Sequence, residues 1–199
     1  MSTLLEVCNR GTSKWGDQAW VFTDKNSVHS YIESYQKVLN KYNNSIKILD
    51  IGISAGGSLW LWQNYCIENN IKYDIWGLDI NPKYTVDREF QKDLDNDSNI
   101  HTIWSSSSML SSSYDSIPEG FDIIVDDGAH TLESQIEAFT LAWPKLAVNG
   151  TYVIEDIQNE STIPNIENHI KSITPNSNIE IYLGKKNGRY DDILIIVTK

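Results

Sequence analysis

Two short segments hold the side chains of this sequence that are best placed to do chemistry together. Asp126-Asp127-Gly128-Ala129-His130 sets two carboxylates and an imidazole within one short run, and Glu155-Asp156 adds a second acid pair. Carboxylate oxygens with water suit a hard divalent cation, Mg2+ or Mn2+. Such a cation can hold a hydroxyl and lower its pKa, while an imidazole beside it removes the proton. The plainer reading is that Asp126 or Asp127 caps a following helix and His130 is a polar turn residue.

A glycine loop lies upstream, Asp50-Ile51-Gly52-Ile53-Ser54-Ala55-Gly56-Gly57-Ser58, and it has three readings. A dinucleotide fingerprint needs a second glycine where Ser54 stands. Gly52-Ile53-Ser54-Ala55-Gly56 also matches G-x-S-x-G, the nucleophile elbow of α/β-hydrolases. That elbow normally follows several strands and needs a late histidine, for which His169 is the candidate. The third reading is D/E-x-G-x-x-x-G, the first loop of S-adenosylmethionine-dependent methyltransferases. S-adenosylmethionine has no pyrophosphate, so a second close backbone approach is unnecessary. Asp50 can then face the ammonium of the cofactor and Asp79 its ribose hydroxyls. This reading assigns the cofactor to Asp50, Gly52, Ser54, Gly56, Ser58, Asp79 and Asp126. Taken singly, Asp50 is equally a turn acid and Asp79 a strand terminator before Asn81-Pro82.

The elements that would position these residues alternate. Strands are expected at 46–51, 73–80, 100–104, 121–125 and 151–154, as short apolar runs bounded by turn residues. Asp122, inside the fourth, reads as a solvent-side or edge residue. Helices are expected at 28–42, 58–69, 86–95, 132–143 and 166–173. Residues 179–183 and 193–198 read as two closing strands around Asn187-Gly188. Apolar strands alternating with helices imply a parallel sheet covered on both faces, with the ligand beyond the carboxyl ends of the strands. Four of those five ends carry acid: Asp50, Asp79, Asp126-Asp127 and Glu155-Asp156. Adjacent strands lie about 4.8 Å apart, so acids on neighbouring ends crowd one volume and call for a cation.

Composition agrees. With 199 residues, 16 Lys+Arg and 27 Asp+Glu, the net charge is −11, which argues against a duplex-binding protein. Hydrophobic residues make up 40% of the chain, enough for a real core. Cys8 and Cys66 read as reduced thiols far from any zinc-site neighbours. Neither a leader nor a membrane-spanning run is evident, so a cytoplasmic protein with no membrane partner is expected. Residues 1–27 read as an N-terminal arm or lid with turn-like spots at Gly11, Gly16 and Asn26, and 28–199 as one domain.

With these residues in hand, the chain resembles the metal-dependent sugar O-methyltransferases of natural-product pathways, the mycinamicin and tetracenomycin-rhamnose type, and the cephalosporin-hydroxylase-like group. The likeness runs from about Gly11 to Gln158. Its pieces are Gly11-Thr12-Ser13-Lys14 (where the family favours G-T-D-K), His29-Ser30-Tyr31, Leu49-Asp50-Ile51-Gly52 with Gly56-Gly57-Ser58-Leu59, and Gly77-Leu78-Asp79-Ile80. The most specific are Asp126-Asp127-Gly128-Ala129-His130 and Tyr152-Val153-Ile154-Glu155-Asp156. The resemblance implies a class I methyltransferase fold: a seven-stranded, mostly parallel Rossmann-like sheet with helices on both faces and a C-terminal antiparallel hairpin. It implies S-adenosylmethionine as methyl donor, a divalent metal on Asp127, Glu155 and Asp156, and His130 as general base beside Asp127. The acceptor would be a hydroxyl of a sugar or glycosylated small molecule. Three departures stand out. Ser13 replaces the family's Asp, a second Asp24-Lys25 precedes His29, and a serine run replaces the usual acidic contact after the third strand. The macrolide-modifying members also carry a large N-terminal domain, for which 199 residues leave no room.

Trp15, Trp20 and Phe22 sit in the polar arm. They can stack on a sugar ring, or anchor the arm to the sheet or to a second copy in a homo-oligomer; anchoring is the commoner use. The alternatives to the methyltransferase reading are a serine hydrolase using Ser54 and a non-catalytic S-adenosylmethionine- or nucleotide-binding protein.

Overall fold

The computed structural model describes residues 2–17, 21–81, 89–184 and 188–199. Two helices come first, α1 (Leu4–Trp15) and α2 (Ile32–Leu39). Then follow β1 (Ser45–Ile51), α3 (Gly57–Glu68), β2 (Lys72–Asp79), α4 (Glu89–Asn96), β3 (Ile100–Trp104), β4 (Phe121–Asp126), α5 (Leu132–Ala142), β5 (Leu146–Ile154), α6 (Ile163–Ile173), β6 (Asn178–Leu183) and β7 (Ile193–Thr198). They form a seven-stranded sheet in the order β3-β2-β1-β4-β5-β7-β6. The first five strands run parallel and β7 is antiparallel to both β5 and β6. This is the mostly parallel Rossmann-like sheet with a C-terminal antiparallel hairpin that the family resemblance implies.

Side chains alternate across each strand, and the sheet has a core on either side. Ile48, Ile123, Val125 and Val153 pack with α1, α2 and α3. Leu49, Ile124, Tyr152 and Ile154 pack with α5 and α6 on the other face. Register brings the strand ends level: Ile51 pairs with both Leu78 and Asp126, and Asp126 with Ile154. Backbone bonds carry this row one residue further, from Gly52 N to Leu78 O, from Asp127 N to Ile51 O and from Glu155 N to Asp126 O.

The structure differs from expectation at the N-terminus. Residues 4–15 are a helix, started by a capping box in which the Thr3 hydroxyl accepts from Glu6 N and the Glu6 carboxylate accepts from Thr3 N. Its Leu4, Val7, Cys8 and Gly11 face the core. Gly11 is no turn: a Cβ there would meet the Phe22 ring at 2.2 Å, so the glycine makes room for that ring. The expected helix over 28–42 begins at Ile32; residues 22–31 instead form a strap across the strand ends, with Phe22, Thr23, Lys25, His29 and Tyr31 buried. The strand expected at 151–154 begins at Leu146, with a register irregularity opposite Phe121–Ile123. Trp20, Pro82, residues 86–88 and Asn187 lie outside the described residues. No described helix is long and apolar enough to cross a membrane.

Candidate active site

The loop after β1 is built by backbone. Gly52 takes φ +91°, and a Cβ on it would stand 2.0 Å from the Asp127 carbonyl oxygen, so only glycine allows this approach. Ser54, at φ 45°, turns its N–H to Asp79 Oδ2 at 2.8 Å, and Asn81 N donates to Oδ1 at 2.9 Å. Gly56, also left-handed, opens α3. The strap lies directly on this helix start, where a Cβ on Gly57 would strike the Phe22 carbonyl.

A cleft of about 310 Å³ crosses the ends of β2, β1, β4 and β5, lined by Gly52, Ser54 and Asp79 and by Asp127, His130 and Asp156. Ser54, His130 and Asp156 all have positive φ, a strain that concentrates at functional positions. Of the other residues assigned to the cofactor, Asp50, Gly56, Ser58 and Asp126 do not line this cleft. Asp50 lies fully buried beneath it, accepting from the Trp62 indole at 2.9 Å. Burial pushes its pKa up to about 6, against the pull of Lys25, Ser58 and Trp62. Asp126 sits by alternation on the opposite face, with Ile124, and burial pushes it to about 8.

The acids of the other face converge on a residue that sequence reasoning did not single out. Lys25 is 1% exposed, and its ammonium donates to Asp127 Oδ2 at 2.8 Å and to both oxygens of Glu155 at 2.8 and 2.7 Å. Asp127, Glu155, Asp50 and Asp24 hold its pKa well above the usual lysine value despite burial. The Tyr35 hydroxyl also donates to Glu155. Burial, then Asp127, raises the Glu155 pKa against the pull of Lys25, and its carboxylate, bonded to Lys25 and Tyr35, stays out of the open acid group. That group is Asp127, His130 and Asp156, whose nearest ligand atoms lie within 4.8 Å of one another.

Around it, His130 Nε2 stands 3.8 Å from Asp127 Oδ1 and 4.0 Å from Asp156 Oδ2. Tyr31 donates to Asp156 Oδ1 at 2.7 Å. His29 stacks on Tyr31 and brings Nδ1 within 3.5 Å of the same oxygen. Burial first, then the neighbouring Asp127, raises the Asp156 pKa to about 8. The same two causes raise Asp24, which lines the cleft as well. Asp127 thus raises the pKa of both Asp156 and Asp24, and these carboxylates, with Lys25 the one cation bonded to the group among the described residues, form a site that fits a hard divalent cation.

Signals for the strap were present. Thr23-Asp24-Lys25 carries the T-D-K of the family motif four residues before His29. The segment first matched to it, Gly11-Thr12-Ser13-Lys14, lies on α1 with Lys14 exposed over Trp15. Trp15 and Phe22 anchor the arm: Trp15 packs edge-on against Phe90, and Phe22 against Trp60 and Phe90. His169, the histidine of the hydrolase reading, has Nε2 on Thr140 Oγ1 at 2.8 Å, at an exposed contact between α5 and α6.

The profile of the methyltransferase domain family matches residues 49–157, more than half of the chain. The chain belongs to this family. The chain is 26% identical over 158 residues to the 8-demethyl-8-alpha-L-rhamnosyl tetracenomycin-C 2'-O-methyltransferase of Streptomyces olivaceus, covering 74% of this chain and 35% of the relative. It is 30% identical over 160 residues to the 8-demethyl-8-(2-methoxy-alpha-L-rhamnosyl)-tetracenomycin-C 3'-O-methyltransferase of the same organism, covering 76% and 35%. Among solved structures it is similar to the MycE methyltransferase of mycinamycin biosynthesis in complex with Mg, SAH and mycinamycin VI. That likeness has a TM-score of 0.70 at 21% identity, over 100% of this chain and 53% of that one. The chain therefore spans about a third of the length of these curated relatives and about half of MycE.

Proposed function

We propose that this protein transfers a methyl group from S-adenosylmethionine to a hydroxyl of a sugar or glycosylated small molecule, assisted by Mg2+ or Mn2+. The observation that carries this reading is a single cleft with two unlike ends. Gly52, Ser54 and Asp79 bound one, and Asp127, His130 and Asp156 the other. Its relatives support the acceptor class, since two of them are methyltransferases of rhamnosyl tetracenomycins by name. MycE, solved with Mg, SAH and mycinamycin VI, supports the pairing of cofactor and metal.

In this reading Asp79 accepts from the ribose hydroxyls of the cofactor. Its two amide bonds leave lone pairs on both oxygens. Gly52 lets the ligand approach the backbone. Asp127 and Asp156 would hold the cation, with Asp24 lining the same cleft, while Glu155 faces Lys25 behind them. When bound, the cofactor supplies an electrophilic sulfonium methyl and the cation polarises the acceptor hydroxyl. His130 takes the hydroxyl proton at Nε2, and its two acid neighbours stabilise the imidazolium that forms. Of the other two acids assigned to the cofactor on sequence, Asp50 lies buried beneath the cleft and Asp126 on the opposite face of the sheet, so neither is given a contact with the cofactor in this reading.

Calorimetry with S-adenosylmethionine, with and without Mg2+, followed by labelled methyl transfer to a panel of glycosides, tests this. Folded protein that does not bind the cofactor sinks the reading. Transfer that survives both D127A and H130A sinks the mechanism.

A further inference from the structure

The two cleft acids share a pattern that neither strand imposes. Asp127 has Oδ2 on Lys25 Nζ and Oδ1 toward His130 Nε2. Asp156, on the neighbouring strand end, has Oδ1 on the Tyr31 hydroxyl and Oδ2 toward the same nitrogen. Each acid commits one oxygen to the 22–31 strap and presents the other to the cleft. We propose that Lys25 and Tyr31 are positioning residues, which fix the two carboxylate planes so that Asp127 Oδ1 and Asp156 Oδ2 form a ready-made oxygen pair for the divalent cation beside His130. This rests on the metal-assisted reading above and extends it to residues that touch neither substrate nor cation.

Three facts carry it. First, a carboxylate torsion is soft and roughly two-fold, so an acid at a strand end does not choose an oxygen by itself. A bond from a buried donor does. Lys25 and Tyr31 are such donors, 1% and 0% exposed. Second, the donors suit the task. Tyr31 has one phenolic proton and three oxygens in reach, Asp156 Oδ1 at 2.7 Å, the Asp191 carbonyl at 2.9 Å and the Ile193 carbonyl at 3.5 Å. A charged acceptor makes the stronger bond, so the proton goes to the carboxylate. Third, burying an ammonium among acids is a poor way to stabilise a fold, since desolvation offsets most of the attraction. Lys25 adds something a hydrophobic residue cannot: it neutralises Glu155 and turns Asp127. Outer partners that orient metal-binding groups commonly set affinity by 10–100-fold.

Mn2+ alone is the probe, its free concentration read by electron paramagnetic resonance on the full chain. Y31F deletes one oxygen and no apolar packing, and a melting curve checks its fold. The expected result is Mn2+ affinity about 10-fold weaker in Y31F, with the affinity for S-adenosylmethionine unchanged. In a D156N background the same Y31F change should matter less than about twofold, because Tyr31 acts through Asp156. K25M and D127N form the parallel pair, and Y31F carries the test alone if K25M does not fold. Affinity of Y31F equal to that of the parent overturns the proposal, as does a full Y31F effect in the D156N background. A parent protein that binds S-adenosylmethionine but no Mn2+ removes the metal-assisted reading itself, and this inference with it.

Discussion

The two ends of the cleft are made of different materials. At the β1–β2 end the work is done by backbone: Gly52 clears space, and Asp79 is held by the amides of Ser54 and Asn81, both a few residues from a strand end. At the β4–β5 end it is done by side-chain charge, and that charge is held from far away. Lys25 is separated by 102 residues from Asp127 and by 130 from Glu155. A site for a neutral or weakly charged ligand part can be assembled from local turns. A site for a cation needs several carboxylates in one place, which repel, so it needs a distant element to hold them. The strap from residue 22 to 31 is that element.

The contrast is broken most sharply at the acid end. H130Q and D127N should each lower kcat by about 10²–10⁴-fold, with S-adenosylmethionine affinity within about twofold of the parent. Steady-state kinetics with a methyl-accepting glycoside and calorimetry on the same preparations give both numbers. If either variant loses the cofactor instead, the two ends are not separable.

Next comes the one residue where the ends touch. G52A places a Cβ at φ +91° within 2.0 Å of the Asp127 carbonyl. It should destabilise the fold on the order of 3 kcal/mol, read by urea denaturation, and should impair both cofactor binding and transfer. A stable G52A with normal kinetics would mean that the loop and the β4 end move independently.

D79A should do the reverse of H130Q. Losing hydrogen bonds from a charged acceptor weakens cofactor affinity by about 10–100-fold, read by calorimetry. Mn2+ affinity at the acid end should stay unchanged.

The same division explains what could be read from the sequence. The parallel sheet, its closing strands and the glycine loop follow from local apolar runs and turn residues, and they are where expected. The acid ends of β4 and β5 were visible too, because Asp-Asp and Glu-Asp stand directly after apolar runs. Period-2 alternation also separates Asp126 from Asp127: Ile124 and Asp126 face α5, Val125 and Asp127 face the strap. Reading the acids at the four strand ends together overlooked this, and it overlooked that Glu155 and Asp50 share the Asp127 face with Lys25. The strap itself was hidden for a physical reason. Thr23, Lys25 and His29 are polar, and polar residues read as exposed. Their burial depends on partners that only the folded sheet assembles. The helix before it was legible in Thr3-x-x-Glu6 and the spacing of Leu4, Val7 and Cys8, but Gly11 and Gly16 suggested turns.

The smallest expected effect separates Asp126 from Asp156, two acids that look alike by number. Burial raises both from 3.8 to about 8, and Asp50 to about 6. A carboxyl whose folded pKa lies above its unfolded one keeps a proton that the unfolded chain has already released. Its contribution to stability is therefore largest at low pH and is lost as pH rises through the folded pKa. Without divalent metal, the protein should be less stable at pH 8.5 than at pH 5.5, read as a lower melting temperature at the higher pH. In the proposed reading Mg2+ is held by the ionised acids of the cleft, so it should restore most of that stability at pH 8.5 and little at pH 5.5. D156N should flatten the slope and abolish the Mg2+ rescue. D126N, on the far face, should flatten the slope and leave the rescue intact. Calorimetric melts of the three proteins at both pH values decide it. Equal loss of rescue in D126N and D156N would mean that the cation is felt through the sheet, and that the charge of the cleft is not confined to the strap side.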